Sequence, residues 1–167
     1  MKAAIFRGAH DVVCGELPDP VIHEPTDAVV RIVRGAVCGS DLWYYRGISP
    51  HPDPAIGHEF IGVVEQAGHD VRVVREGDFV VAPFAFSDGT CPNCRAGVQT
   101  ACLHGGFFGG GGNGGGQAEL VRVPVADGTL VAVPGRRHDD ATMRSLVTLC
   151  DVMGTGHHAV VSARTEP

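Results

Sequence analysis

The chain of 167 residues is long enough for one domain with a real core and too short for two of ordinary size. Its 44% hydrophobic and 19% charged residues exclude a disordered chain, and a net charge of −6 offers no basic footprint for nucleic acid or an anionic membrane. No apolar run approaches the length of a membrane span and the apolar start is too short for a secretory signal, which predicts a soluble, cytoplasmic protein.

Glycine (24 residues) and proline (11) punctuate short Val/Ile runs while aromatics are scarce, so the expected class is mainly β, in detail α+β, with many turns. Residues 2–6 and 11–15 predict a hairpin turning at Gly8, and Pro18 and Pro20 end it because proline cannot donate to a ladder. The β-branched run 28–33 returns the chain to the sheet, and Gly35 and Gly39 permit a sharp departure where Cys38 and Ser40 sit. Residues 42–45 begin a short helix that Pro50, Pro52 and Pro54 terminate. Two further strands follow at 60–67 and 78–82.

Residues 105–116 are mostly glycine, and a G-x-G-x-x-G pattern arises there trivially from Gly109, Gly111 and Gly114. No predicted strand precedes it, and 117–123 predicts a strand, not a helix, so a dinucleotide loop fails its context. A flexible loop flanking a pocket is expected instead. A strand at 130–133 is closed by Pro134-Gly135. Asp139 or Asp140 then caps a helix with Met143, Leu146, Val147 and Cys150 at helical spacing. Gly154 and Gly156 are expected to break it, with a second helix opening near 155–158 and running through 163. There is no repeat and no interior linker, so one domain is expected.

Two constellations carry chemistry. Cys38-Gly39-Ser40-Asp41 and Gly57-His58-Glu59 supply a thiolate, an imidazole and a carboxylate beside an apolar strand pattern. Asp88-x-x-Cys91-x-x-Cys94, followed after seven residues by Cys102, has the spacing at which a tight turn aims its ligands at one ion. Without a signal peptide, thiolate ligation is favoured over disulfides.

Gly57-His58-Glu59, two residues, Gly62, five residues, Gly68, two residues and Val71 resembles the signature of zinc-containing alcohol dehydrogenases of the medium-chain dehydrogenase/reductase family, with every fixed position filled. The resemblance implies a GroES-like irregular β-barrel with a projecting zinc lobe at about residues 86–105 and short C-terminal helices, residues 1–167 forming the catalytic domain. It implies one structural zinc on Asp88, Cys91, Cys94 and Cys102, where Asp88 replaces the first of the family's four cysteines; His104, or a metal-free lobe, are the alternatives. It implies one catalytic zinc on Cys38, His58 and a third ligand at the family's distance before Thr155-Gly156. Asp151 keeps that distance. Cys150 is one residue out of register, a slip that swings a helical side chain by about 100°.

By the same resemblance Glu59 is a carboxylate that coordinates zinc transiently or holds its surroundings. Ser40 matches the hydroxyl that takes a proton from the alcohol, the plainer alternative being a helix N-cap. Asp41 is a weaker candidate for orienting ligands. Trp43, Phe84, Phe86, Phe107 and Phe108 serve either a cleft or ordinary packing.

The implied activity is oxidation of a small alcohol or polyol, or reduction of an aldehyde, with NAD or NADP accepting the hydride on a second, doubly wound domain. Residues 160–167 match only the lead-in to that domain, so the chain as it stands is expected to lack the cofactor site and to be weakly active or inactive alone. Homo-oligomers are implied for the full-length family. A reading from a different class is a zinc-stabilised β domain acting in binding or assembly.

Overall fold

Antiparallel pairing of the Val- and Ile-rich runs builds the frame in the computed structural model, which describes residues 1–135 and 137–165. Lys2–Gly8 (β1) and Asp11–Glu16 (β2) form a hairpin. Ala28–Gly35 (β3) leads into the short helix Asp41–Tyr45 (α1) and returns as Phe60–Ala67 (β4) and Phe79–Ala82 (β5). Ala85–Phe86 (β6) enters a small lobe containing Pro92–Arg95 (α2) and leaves it through Gly106–Phe107 (β7), its own partner. Leu120–Val123 (β8), Ala126–Thr129 (α3), Val131–Val133 (β9), Asp140–Val147 (α4) and Val152–Ser162 (α5) complete the chain. No described helix is long and apolar enough to cross a membrane.

The main sheet has five strands in the order β8-β3-β4-β5-β9. The expected class, mainly β with short C-terminal helices, holds. The described strands form an open sheet, not a closed barrel, and the hairpin joins it through single bridges at Ala3 with Ala118 and Ile5 with Ala55.

Successive side chains of a strand point to opposite faces, and here both faces of β4 and β5 are covered. Phe60, Val64, Val80 and Ala82 pack with Val30, Val121, Val123 and Phe108. Ile61, Phe79 and Val81 pack on the other side against Met143, Leu146 and Val147 of α4 and against Cys150. This double coverage explains why 60–64 and 79–82 are uninterrupted apolar runs with no polar alternation. Each large side chain so buried contributes about 1.5–3 kcal/mol relative to exposure. Gly62 is required between β3 and β4: a Cβ there would lie 2.2 Å from the Arg31 carbonyl oxygen.

A buried carboxylate sits beside the core with a half-buried arginine as partner. Asp27, 1% exposed, accepts hydrogen bonds from the backbone N–H groups of His23 (3.1 Å) and Glu24 (3.0 Å) and from Arg122 Nη1 (2.8 Å). It ties the entry of β3 to β8.

At the C-terminal end Asp139 caps α4 by accepting the Thr142 N–H at 2.7 Å. A 3-10 turn, Thr148–Cys150, follows, and the break falls at Asp151 (φ −145°, ψ −74°). Gly154 and Gly156 do not break the helix as expected; both lie inside α5. Their cost of about 1 kcal/mol each relative to alanine lowers the helix's intrinsic stability without preventing it from forming.

The glycine-rich segment is more constrained than a flexible loop. Its start pairs with β6, Gly109 N–H donates to the Gly114 carbonyl at 2.6 Å, and Gly112 N–H donates to Asp53 Oδ2 at 3.0 Å.

Candidate metal centres

Antiparallel register brings the first constellation together. Gly35 at the end of β3 pairs with Phe60 at the start of β4, and Ala36 N–H donates to the Glu59 carbonyl at 3.0 Å. The loop leaving β3 and the loop entering β4 therefore run side by side, with Cys38 in one and His58 in the other.

Asp151 arrives from the far end of the chain. Its neighbour Cys150, 1% exposed, points into the core and donates its thiol to the Phe60 carbonyl at 3.2 Å, while the Cys150 carbonyl accepts Phe84 N–H at 2.9 Å. These contacts fix the backbone so that the next side chain turns the other way. Asp151 Oδ2 lies 3.6 Å from His58 Nε2 and 3.7 Å from Cys38 Sγ. Zinc bonds of 2.0–2.3 Å at tetrahedral angles would space their ligand atoms by roughly 3.3–3.8 Å. Cys38, His58, Glu59 and Asp151 have donor atoms all within 4.8 Å of one another, and the mixture of thiolate, imidazole and carboxylate is one that zinc takes.

Asp41 supports two of these residues. Its Oδ2 accepts the Cys38 backbone N–H at 2.9 Å, and its Oδ1 stands 3.5 Å from His58 Nδ1. This leaves His58 Nε2 as the lone-pair nitrogen facing Asp151 when the ring is neutral. The Asp41 carboxylate pushes the His58 pKa up to about 9 against the opposing effect of burial, and the Cys38 sulfur adds to the rise. Burial raises the Glu59 pKa, with His58 pulling the other way.

A cavity of about 230 Å³ opens onto the cluster. Ser40, Tyr44, Phe84, Phe107 and Phe108 line it with His58 and Asp151. Ser40 occupies the N-cap position of α1 but makes no side-chain capping hydrogen bond among the described residues, so the plainer alternative for that hydroxyl is not realised. Phe84 and Phe107 stack at 5.8 Å with planes 17° apart. Phe86 instead belongs to the core and Trp43 is 55% exposed.

In the lobe, Asp88, Cys91, Cys94 and Cys102 also bring their donor atoms within 4.8 Å of one another. Cys91 Sγ and Cys102 Sγ are 3.9 Å apart, close to one edge of a tetrahedral zinc–thiolate site. Asp88 Oδ1 accepts the N–H groups of Thr90 (2.7 Å) and Cys91 (2.9 Å), which folds the turn so that Cys91 and Cys94 share a side. Those N–H groups, the Cys91 amide first and then the His104 contact, hold the Asp88 pKa below the usual carboxylate range. Burial, then the neighbouring Cys91 and Cys102, pushes the Cys94 thiol up to about 12, whereas a backbone N–H from Leu103 brings Cys91 down to about 7. His104 does not join the sulfurs; exposed, it contacts Asp88 Oδ2 from outside through Nδ1 at 2.6 Å.

Sequence reasoning gave no place in the site to Gln117. Its Nε2 donates to Asp41 Oδ2 at 3.3 Å, and glutamine carries no signal that would have found it.

Comparison with known proteins accords with this geometry. Medium chain reductase/dehydrogenase ucsI from Acremonium sp is 41% identical over 158 residues, spanning 93% of this chain and 53% of the relative. Zinc-type alcohol dehydrogenase B from Aspergillus flavus is 37% identical over 164 residues, spanning 98% of this chain and 37% of the relative. Among solved structures, alcohol dehydrogenase TADH from Thermus sp. ATN1 superposes with a TM-score of 0.90 at 33% identity, covering all of this chain and 49% of that one. The chain thus spans about half the length of the relatives it matches. The sequence profile of the alcohol dehydrogenase GroES-like domain matches residues 24–135, and the chain belongs to that family.

Proposed function

We propose that this chain is the catalytic domain of a zinc-dependent alcohol dehydrogenase, interconverting a small alcohol or polyol with its aldehyde or ketone. The observation that carries the reading is the approach of Asp151 to His58 (3.6 Å) and to Cys38 (3.7 Å), beside a cavity that His58, Asp151 and Ser40 line. Cys38, His58 and Asp151 would hold the catalytic zinc with Glu59 beside them, and Asp88, Cys91, Cys94 and Cys102 would hold a structural one. When bound in the first site, zinc supplies Lewis acidity that makes an alcohol hydroxyl easier to deprotonate and a carbonyl easier to reduce.

The chain's own residues account for the remaining work within this half. The Ser40 hydroxyl, which lines the cavity and makes no capping bond, would take the alcohol proton as a hydrogen-bonded neighbour. Tyr44, Phe84 and Phe107 would offer the apolar part of the cavity wall to the carbon side of a substrate. Asp41 holds the His58 ring and the Cys38 backbone in place. The relatives' further length is where we assign the NAD or NADP that receives the hydride.

Metal analysis of the purified chain tests the reading. Two zinc equivalents are expected, with Cys38→Ser or Asp151→Ala leaving one and Cys91→Ser removing the other. A single zinc confined to the cysteine lobe would overturn the enzymatic reading in favour of a binding or assembly module.

A further inference from the structure

We infer that Gln117 is a positioning residue for the Cys38–His58 centre, acting through Asp41; the inference rests on the metal-site reading above. Gln117 ends the glycine-rich segment, and its backbone is clamped on both sides. Its N–H donates to the Ile56 carbonyl at 3.2 Å, and its carbonyl accepts Ala4 N–H at 2.8 Å. With the main chain held, the side chain runs past Gly57. A Cβ on Gly57, whose φ is +85°, would lie 2.5 Å from Gln117 Cγ. The glycine immediately before His58 is thus the gap through which this side chain reaches the site.

The amide then meets two acceptors. Nε2 is 3.3 Å from Asp41 Oδ2 and 3.5 Å from the Ala36 carbonyl. Both partners accept only, so the NH₂ end of the amide faces them and spends one hydrogen on each. Ala36 belongs to the strand exit that carries Cys38, and Asp41 is the carboxylate that touches both Cys38 N–H and His58 Nδ1. One neutral side chain therefore locks the rotamer of the group that orients two ligands. It also connects four segments of the chain, the first strand, the Cys38 loop, the His58 loop and the glycine run, at a single point.

Glutamine suits the task for a physical reason. Asp41 already stands near enough to Glu59 to raise its pKa, so a second anion behind it would add repulsion. A hydrocarbon of the same length would leave an Asp41 oxygen and the Ala36 carbonyl short of a partner.

Cobalt(II) titration of the full chain, read by its thiolate charge-transfer and d–d absorption, tests this with the lobe site as internal reference. Partners of metal ligands typically alter affinity about tenfold to a hundredfold, and one step further out the effect should be smaller. Gln117→Met is expected to weaken cobalt at the Cys38 centre by about threefold to tenfold and to change its d–d envelope, with lobe binding unchanged. Gln117→Glu, which keeps the shape and adds the charge, should weaken it further. In an Asp41→Ala background, which removes the acceptor altogether, Gln117→Met should have little additional effect. Wild-type affinity and spectrum in both Gln117 variants would overturn the inference, as would an equal loss at both metal sites or an undiminished effect in the Asp41→Ala background. If the wild-type chain binds no cobalt at the Cys38 centre, the metal-site reading itself fails, and the inference with it.

Discussion

Cys150 and Asp151, neighbours in the chain, face opposite ways: the Cys150 thiol bonds to the Phe60 carbonyl inside the core, while Asp151 Oδ2 stands 3.6 Å from His58 Nε2. The unusual backbone at Asp151 (φ −145°, ψ −74°), between a 3-10 turn and α5, makes that divergence possible.

The two residues should accordingly respond to substitution in opposite ways. Cys150→Ala removes a sulfur from a packed site and is expected to cost about 1–2 kcal/mol of stability while leaving metal content intact. Asp151→Ala should abolish metal at the Cys38 centre with little change in metal-free stability. Urea unfolding of both variants, paired with metal analysis, checks this; loss of metal in Cys150→Ala with retention in Asp151→Ala would reverse the assignment.

His58 links pH to both stability and metal uptake. Its pKa is raised from an ordinary 6.5 to about 9 in the metal-free fold, Asp41 being the main cause. A raised pKa favours the protonated folded state, so this contribution is fully present below the unfolded value and is lost as pH rises through about 9. The stability difference between the metal-free wild type and Asp41→Asn should therefore be largest near about pH 6 and diminish above about pH 9. Zinc needs the neutral ring, so its affinity should move the other way, falling up to about tenfold for each pH unit below 9 from this proton alone. Calorimetry with a chelator, and zinc titration across the same range, measure the two slopes; a difference between wild type and variant that does not depend on pH would contradict the role given to Asp41.

The Asp27–Arg122 pair should dominate the stability of the β3–β8 edge. Removing Asp27 breaks three hydrogen bonds and leaves the half-buried Arg122 guanidinium without its partner, whereas removing Arg122 strands a buried carboxylate. Asp27→Ala is expected to cost about 3–5 kcal/mol, whereas Asp27→Asn, which can still accept from the backbone, should cost less. Equilibrium unfolding decides; Asp27→Asn as stable as the wild type would show that the charge pairing is immaterial, and losses equal to those of Asp27→Ala would show that the backbone hydrogen bonds are.

In the lobe, Asp88 and His104 are expected to separate cleanly. Asp88→Ala should release the lobe's metal and expose residues 86–105 to hydrogen exchange, because the turn loses both its ligand and the acceptor of two backbone N–H groups. His104→Ala, which removes only an outer contact, should retain the metal. Metal loss in His104→Ala with retention in Asp88→Ala would make the imidazole the fourth ligand.

Much of this arrangement was legible in the sequence because it is local. The hairpin, the short strands and the Asp139 cap follow from periodicity and turn residues. The Cys91, Cys94 and Cys102 grouping follows from spacing alone. Cys38 and His58 come together because adjoining strands carry them, whereas Asp151, 113 residues from Cys38, was marked only by the resemblance, through the family's distance before Thr155-Gly156. What was hidden is tertiary. Gln117 reaches Asp41 across 76 residues using a common polar side chain that carries no pattern. Local signals also mislead: α5 runs through two glycines although none of its residues is buried and no side chain caps its start, and the glycine-rich segment is pinned by Asp53, a residue 59 positions from Gly112.

The most direct test is anomalous scattering at the zinc edge from zinc-replete crystals of the chain. The account predicts a peak within about 2.0–2.3 Å of Cys38 Sγ, His58 Nε2 and an Asp151 carboxylate oxygen together, opening toward the Ser40 cavity. A map with a peak in the cysteine lobe but none between those three side chains, with Cys38 and His58 turned apart, would contradict it.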